Sequence, residues 1–341
     1  MNDPLVVSRS SLGQLEPIGK GMTAKVYRLP DYRLAGDPLD LVYKEYKKGV
    51  LPGGALAGLL AIVRVRDKME PAQQGELDKR ATWPLRVVEE NGVVKGVLMR
   101  LIPGDFFGTR TARDGSSRRQ ALELQFLLQE RAFLRRIGLE FLDARQRLQV
   151  LKDFAHVLAM LHKVNIVYGD ISLLNAIYRG GSRPGVMLVD CDAVRVAGTS
   201  SPFIKQPHSP DFDPPEALAN GRHLWTVQSS RTDVYKFGLV FLRVLSVGVP
   251  QTSMLRNAAS VSTPLPGELA DLLERTLAPD PAARPPMREW YHALAQKTGG
   301  GPTQTHAQLP IGATATPAAP AAPRRIGAWE RQPDGSWTRA T

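Results

Sequence analysis

The chain has 341 residues, and its 44 Lys and Arg against 33 Asp and Glu give a formal net charge of +11. A hydrophobic fraction of 43% and a charged fraction of 23% are typical of globular proteins and exclude a fibrous repeat. At roughly 100–200 residues per domain, this length predicts two domains or one large one. The one cysteine, Cys191, excludes an intrachain disulfide and a multi-cysteine zinc site, and it suits a reducing compartment.

The first residues, MNDPLVVSRSS, lack the basic start and apolar stretch of a secretion signal. The longest apolar runs, such as residues 239–249, fall short of the roughly 20 residues that a membrane-spanning helix needs. We therefore expect a soluble, cytoplasmic protein with no membrane partner. The densest basic stretch, residues 109–149, holds nine Arg against five acidic residues without aromatic residues at a stacking spacing. This pattern predicts charged helix faces and argues against nucleic acid as a partner.

The first hundred residues contain short apolar or β-branched runs at 25–29, 40–46, 85–89 and 93–102. Asn91-Gly92 joins the last two runs, and Asn-Gly between apolar runs is the strongest short-range signal for a β-hairpin. Between the second and third runs, residues 54–69 are apolar at helical spacing, and this pattern stops near Pro71. The sequence predicts a small antiparallel sheet with one inserted helix.

After Pro103-Gly104 the pattern becomes mainly helical. Helices are predicted at 118–134, 143–163, 232–246, 267–277 and 287–297, with two short strands at 176–178 and 186–189. From Thr298 the composition shifts to Gly, Pro, Thr and Ala, which predicts a disordered tail. The tail ends with Trp329 and Trp337 on either side of a Pro-Asp-Gly turn, which fits either a small hairpin or a short docking motif.

Two motifs in the first part suit phosphate binding. Residues 18–27 follow the pattern G-x-G-x-x-G-x-V, with alanine at the third glycine, and glycines let backbone N–H groups approach phosphate oxygens. The predicted contacts are Gly19, Lys20, Gly21, Ala24 and Val26. In the alternating run LVYKE, Lys44 would direct a positive charge toward the α- and β-phosphates. Taken alone, the first motif also fits a tight hairpin and the second a solvated lysine.

Two further motifs supply acidic and amide groups. Asp170 follows an apolar helix, and Asn175 comes five positions later, as in the D-x-x-x-x-N of a phosphotransferase catalytic loop. The carboxylate can orient or deprotonate an attacking hydroxyl, while the amide oxygen holds a metal. Asp190 ends the hydrophobic run VMLVD, where a ligand of Mg²⁺ or Mn²⁺ is expected.

In this order, the four motifs resemble the catalytic domain of protein kinases across residues 12–297. Three later residues resemble structural positions of that family and are expected to hold the helical part together: Glu216, Asp233 and Arg284. The resemblance implies an α+β, bilobed protein-kinase-like fold. Its small antiparallel β N-lobe with one helix would span residues 1–103 and its larger helical C-lobe 104–298. A disordered Gly/Pro/Ala-rich tail with a terminal Trp-containing segment would span 299–341.

The implied activity is ATP- and Mg²⁺-dependent transfer of the γ-phosphoryl group to Ser or Thr hydroxyls of a protein substrate. Asp170 and Lys44 would be catalytic, and Asn175 and Asp190 would hold the metal. The adenine would lie against residues 97–100 and the hinge Leu101–Gly104, with Leu101 among the ATP contacts.

The sequence departs from the family pattern in the catalytic segments. H-R-D reads Tyr168-Gly169-Asp170, the lysine two positions later is Ser172, and D-F-G reads Asp190-Cys191-Asp192. The predicted inserted helix contains no Glu, so Glu76 is the candidate acidic partner of Lys44. The Trp83-Pro84 element and the doubled aspartate also resemble a divergent bacterial kinase-like group, some of whose members sit beside metal-dependent phosphatases, which makes a phosphatase a candidate partner.

Two other functions fit the same residues. The first is a pseudokinase that binds nucleotide or acts as a scaffold without turnover. The second is a small-molecule kinase of the aminoglycoside-phosphotransferase type, whose loops also lack the arginine. Retention of all four polar site residues favours an enzyme over a scaffold, and the Pro-Pro-Glu near residue 216 favours a protein substrate over a small molecule.

Overall fold

The computed structural model describes residues 3–112, 114–199, 202–203, 206–219, 228–261 and 264–299, and three short strands near the C-terminus. The chain divides into two compact units, Met1–Gly300 and Gly301–Thr341. In the first unit the described residues form an α+β structure, with a six-stranded sheet followed by a mainly helical part. Among them, no helix combines the length and the apolar character needed to cross a membrane.

The sheet is antiparallel except at one edge. Its strands are β1 (Val6–Ser8), β2 (Glu16–Lys20), β3 (Ala24–Leu29), β4 (Leu41–Tyr46), β5 (Arg86–Glu90) and β6 (Val93–Arg100), in the order β1-β5-β6-β4-β3-β2. Only the β1–β5 pair is parallel within this sheet as described. The predicted β5–β6 hairpin is confirmed, and both Asn91 (φ 53°) and Gly92 (φ 75°) have the positive φ that its two-residue turn requires.

The inserted helix is confirmed as α1 (Ala55–Asp67), and a second helix follows it, α2 (Pro71–Asp78). Pro71 occupies the first turn of α2, where its missing N–H costs no intrahelical hydrogen bond. Helix α1 buries Leu59 and Val63 against Val42 and Val97 of the sheet. This packing covers one face of β4 and holds the strand in place.

The predicted helix at 118–134 is wrong. The chain instead forms the hairpin of β7 (Phe107–Thr111) and β8 (Ser117–Ala121), a 3₁₀ turn at Leu124–Leu128 and the short α3 (Arg131–Arg136). Asp114-Gly115 is the turn signal that the helical pattern concealed, and Gly115 has a φ of +80°. The apolar spacing further along belongs to the 3₁₀ turn, which buries Leu124 and Leu127.

The remaining helices are confirmed to within a few residues. The elements in order are α4 (Ala144–Lys163), β9 (Ile166–Val167), β10 (Ala176–Arg179), β11 (Gly185–Leu188), β12 (Arg195–Val196), α5 (Pro215–Ala219), α6 (Ser230–Leu245), α7 (Gly267–Thr276) and α8 (Met287–Thr298). Helix α4 starts with a capping box in which Asp143 and Gln146 exchange hydrogen bonds of 2.8 and 2.9 Å. Its apolar face meets Phe237 and Trp290 in the main core.

The segment before β5 connects the sheet to the helical core. Trp83 is 2% exposed and donates its indole N–H to the carbonyl of Ile62 in α1 at 3.0 Å. Thr82 N–H donates to the carbonyl of Leu188 at 2.9 Å, and Leu188 N–H donates to that of Arg80 at 2.7 Å. These bonds hold the end of β11, and therefore Asp190, at a fixed position relative to the sheet.

The second unit is described only as three antiparallel strands: β13 (Arg325–Ile326), β14 (Trp329–Arg331) and β15 (Trp337–Arg339). Trp329 pairs with Arg339, and Arg331 pairs with Trp337. This pairing matches the small-hairpin interpretation of the terminal segment. The Gly/Pro/Ala-rich stretch at 300–324, predicted to be disordered, and the Pro-Asp-Gly turn lie outside the described residues.

Candidate functional site

Lys44 is a buried lysine in the central strand β4. It pairs in register with Val26 of β3 on one side and Val97 of β6 on the other. Its Nζ donates to Asp190 Oδ1 at 2.8 Å and to Asp192 Oδ1 at 2.7 Å, which lie 146 and 148 residues further along the chain. Burial disfavours the charged ammonium, but the two carboxylates outweigh it, so the pKa of Lys44 lies above its ordinary value.

Asp192 is the fully buried partner of Lys44. Its second oxygen accepts a hydrogen bond of 2.6 Å from the hydroxyl of Tyr46, two residues after Lys44 on the same strand. Burial beside this carboxylate raises the pKa of Tyr46 well above its ordinary range, so the phenol remains a donor. Both carboxylate oxygens of Asp192 therefore have partners, which is the condition for a stable buried charge. Sequence reasoning missed this role because no local pattern links residues 44, 46 and 192.

Glu76 does not contact Lys44, which corrects the candidate pairing made from sequence. Its carboxylate lies on α2 and binds Lys79 at 2.9 Å and Arg80 at 2.6 Å. The physical reason is Pro71, which starts α2 as a separate helix and takes Glu76 away from β4. Asp192 supplies the acidic group instead.

Asp190 differs from its neighbour in exposure, since 56% of its side chain is accessible to solvent. Its backbone has a φ of 56°, a left-handed conformation that Asp tolerates better than most residues. The preceding residue, Val189, donates its N–H to the carbonyl of Asn175 at 3.0 Å. This bond brings Asn175 next to Asp190, so the two predicted metal ligands lie in adjoining segments.

Asp170 and Asn175 occupy one loop before β10. Asn175 Nδ2 donates to the backbone carbonyl of Asp170 at 2.9 Å, and Ser209 Oγ donates to Asp170 Oδ1 at 2.9 Å. Burial raises the pKa of Asp170, while the Ser209 hydrogen bond and the charge of Lys236 partly oppose that rise. The loop thus holds a carboxylate with a raised pKa beside Asp190, as a proton-accepting group requires.

Two buried residues of α6 hold this loop. Asp233 accepts hydrogen bonds from the N–H groups of Tyr168 (2.8 Å) and Gly169 (2.9 Å), and from the ring of His162 at 3.1 Å. Lys236 Nζ donates to the carbonyl of Gly169 at 2.6 Å. Side chains of α6 therefore hydrogen-bond to both the N–H groups and a carbonyl group of the loop backbone.

The other pair of expected structural residues also meets. Arg284 is 1% exposed and donates to both carboxylate oxygens of Glu216, at 2.7 and 2.6 Å. A bidentate pair of this kind fixes geometry as well as charge. It joins the segment before α8 to the start of α5.

Gly169 has a φ of +82° and no room for a side chain. A Cβ atom there would lie 2.2 Å from Nε2 of Gln206, which donates to the carbonyls of Val167 (3.1 Å) and Tyr168 (3.2 Å). Glycine is thus required both by backbone conformation and by the close approach of this buried amide. Gln206 ties the segment after β12 to the loop, a contact that the sequence does not reveal.

The glycine motif forms the β2–β3 turn. Gly19 pairs with Val26 and Lys20 with Lys25, while Gly21 N–H donates to the carbonyl of Ala24 at 2.8 Å. Lys47 Nζ donates to the carbonyls of Gly21 and Met22, each at 2.7 Å, and so holds the turn to the end of β4. All residues from 18 to 23 are exposed, which leaves the turn accessible to a ligand.

Leu101 follows β6 and donates its N–H to the carbonyl of Asp40 at 2.8 Å. It packs, like Val26, against the apolar cluster that contains Val97. A cavity of about 640 Å³ adjoins the segment Leu101–Gly104, but Arg100, Asp78 and Lys79 line it, and its wall does not include Lys44. This cavity is therefore separate from the Lys44 cluster.

The cluster has the donors that a hard cation needs. Asp190 presents an exposed carboxylate, and the amide orientation of Asn175 leaves its oxygen available, since the nitrogen donates to Asp170. Among the described residues no group of three or more His, Cys, Asp or Glu is arranged around a metal position. Mg²⁺ bound to phosphates commonly takes only one or two protein ligands, so the two oxygens fit that mode.

Compared with models of known protein families and with curated proteins, the chain gives no match.

Proposed function

We propose that this protein is an ATP- and Mg²⁺-dependent phosphotransferase with a bilobed, protein-kinase-like fold, which transfers the γ-phosphoryl group to Ser or Thr hydroxyls of a protein substrate. The observation that carries the proposal is the contact of Lys44 with Asp190 at 2.8 Å, beside the loop that holds Asp170 and Asn175. Four residues from three separate segments would thereby supply a phosphate-binding cation, a carboxylate base and two metal ligands.

In this proposal the β2–β3 turn covers the phosphates and Lys44 contacts them. Asn175 and Asp190 would hold Mg²⁺ or Mn²⁺, which when bound neutralises charge on the phosphate oxygens. Asp192 and Tyr46 hold Lys44 in place, and the raised pKa of Lys44 keeps its ammonium charged over the whole physiological range.

Asp170 is the proposed base. It would orient the attacking hydroxyl and accept its proton, while Ser209 fixes one of its oxygens. Ser172, at the position of the family lysine, accepts from the N–H groups of Leu174 and Asn175 at 3.3 Å and is buried. Lys236 on α6 is the buried cation whose charge acts on Asp170 in its place.

The test is phosphate transfer from ATP labelled at the γ-position, with Mg²⁺ and a generic protein substrate. We expect Asp170→Ala to lower the rate by about 100-fold or more, since general-base catalysis contributes that much. Glu76→Gln is the matched control, because its carboxylate pairs with Lys79 and Arg80 away from Lys44. Equal labelling by wild type and Asp170→Ala would contradict the proposal.

A second function, nucleotide binding without transfer, is favoured by one observation. The position of Ser172 carries no cation, so a charge that would stabilise the transferring group is missing there. If ATP and Mg²⁺ raise the melting temperature while no substrate is labelled, the protein is a pseudokinase. ATP consumption with small hydroxylated metabolites alone would instead indicate a small-molecule kinase.

A further inference from the structure

A second concave surface lies on the helical part, between α4, α6 and α8. It encloses about 710 Å³, which is the size of a small-molecule site. Its wall includes the cations Lys163, Arg231 and Arg288 and the histidines His156, His162 and His292. We call it the α4/α6/α8 groove. Among the described residues that line the groove, three are Lys or Arg, three are His and none carries a carboxylate, a balance that favours an anionic ligand.

The cations of the groove are available to such a ligand. Within the part of the chain that the structure describes, neither Lys163 nor Arg288 takes part in an ion pair, and both side chains are exposed. Arg231 donates to the backbone carbonyl of Arg284, and no ion pair of Arg231 is found among the residues that the structure describes. Guanidinium groups bind phosphate through paired N–H donors, and an ammonium adds a point charge.

Nearby acids do not cancel this charge. Asp233 contacts His162 and is fully buried, with its oxygens occupied by the backbone of the 168–169 loop. Glu76 lines an adjoining cavity that shares Lys163 with the groove, but Lys79 and Arg80 already pair with it. The groove therefore keeps a positive potential.

Two helices also begin at the groove. Ser230 and Arg231 are the first residues of α6, and Met287 and Arg288 are the first of α8. Pro286, the residue before α8, provides no side-chain acceptor for the first N–H groups of that helix. The start of α6 is capped by Ser229 and Thr232, so the uncapped start of α8 is the helix end that adds positive charge, against the C-terminal end of α4.

The rest of the wall suits a nonpolar or aromatic body. Met160, Val234 and Met287 line it, together with the ring of Tyr291, whose centre lies 4.7 Å from that of His156. Burial lowers the pKa of His156 and the charge of Arg80 lowers it further, against opposing contributions from Asp153 and Glu76. The aromatic rings that lie beside these cations suit a ligand ring that carries a phosphate.

We propose that the α4/α6/α8 groove binds a small molecule with a phosphate group on an aromatic body. The phosphate is held by Lys163, Arg231 and Arg288, and the ring lies against Tyr291 and Met160. A small molecule fits better than a protein segment because the cavity is concave and limited in volume. This site does not depend on the chemistry proposed for Lys44.

The test is calorimetric titration of the full chain with phenyl phosphate, inorganic phosphate and, as the uncharged analogue, phenol. We expect saturable binding of one phenyl phosphate per chain, weaker binding of inorganic phosphate and none of phenol. The double variant Lys163→Ala/Arg288→Ala should weaken binding of phenyl phosphate by at least about tenfold, since two charge-assisted hydrogen bonds are lost.

The matched control is Lys297→Ala, which removes a cation from the same helix, α8, at a position paired with Glu268 outside the groove. It should leave the affinity unchanged. Both changes affect side chains on the surface, and melting curves would verify that the variants are folded. Absence of saturable binding at millimolar phenyl phosphate overturns the proposal, as does equal weakening by the double variant and the control.

Discussion

The two candidate phosphate sites have opposite charge. At the first site, Asp190 and Asp192 contact the ammonium of Lys44, and a third carboxylate, Asp170, lies in the adjoining loop, where the charge of the buried Lys236 acts on it. In the α4/α6/α8 groove, the lining residues that the structure describes include three cations and no carboxylate. A phosphate can enter the groove directly, whereas the phosphates of a nucleotide beside Lys44 need additional positive charge. A divalent cation should therefore increase phosphate binding beside Lys44 and leave phosphate binding in the groove unchanged.

Removal of metal should have the largest effect, and it should affect ligand binding at only one of the two sites. With EDTA present, the rise in melting temperature caused by ATP should disappear, because the negative charge beside Lys44 is then uncompensated. Binding of phenyl phosphate to the groove should be unchanged under the same conditions. Thermal-shift and calorimetric measurements in one buffer would check both, and an equal response of the two ligands to EDTA would remove the distinction.

A smaller effect is expected from the buried member of the acidic cluster. Asp192→Ala leaves the Tyr46 hydroxyl without its acceptor and takes one carboxylate from Lys44, so it should lower the free energy of unfolding by about 3–5 kcal/mol. Tyr46→Phe removes one hydrogen bond to this charged acceptor and should cost about 1.5–3 kcal/mol. Urea unfolding of both variants measures the difference. If Asp192→Ala costs no more than Tyr46→Phe, then Asp192 is not the anchor of Lys44.

The smallest expected effect concerns the pH dependence of transfer. Burial raises the pKa of Asp170 above 3.8, and only its deprotonated form accepts a proton, so the rate should rise with pH through this raised pKa. Ser209 donates to the carboxylate and lowers that pKa, so Ser209→Ala should move the acidic limb of kcat/KM to higher pH. A shift toward lower pH, or a profile that follows an ordinary Asp, would contradict this assignment.

The parts of the fold that were predictable from sequence are those with local causes. Helix α4 has a capping box and regular apolar spacing, and the β5–β6 hairpin has its Asn-Gly turn. The β7–β8 hairpin was missed because exposed Arg and Gln on its strands resemble the polar face of a helix. In that segment Thr111 pairs with Ser117 across the Asp114-Gly115 turn. The spacing of apolar residues does not predict this strand pairing.

The candidate site shows the same limit. Lys44, Asp170, Asn175 and Asp190 could be named from motifs, since each motif is local. The acidic partner of Lys44 could not be named from a motif. Its identity depends on the start of α2 at Pro71 and on the contact between the turn after β11 and β4. Gln206 was also missed, since its contact with the 167–168 carbonyls spans nearly forty residues.

Both partners of Lys44 lie on one short turn, only two residues apart. In protein kinases the lysine takes its acidic partner from a mobile helix and the metal takes its ligand from a separate segment. Here a displacement of residues 190–192 would remove both acidic partners of Lys44 at once. Because α1 packs against β4 and accepts the indole N–H of Trp83, the position of this turn relative to Lys44 depends on α1 as well.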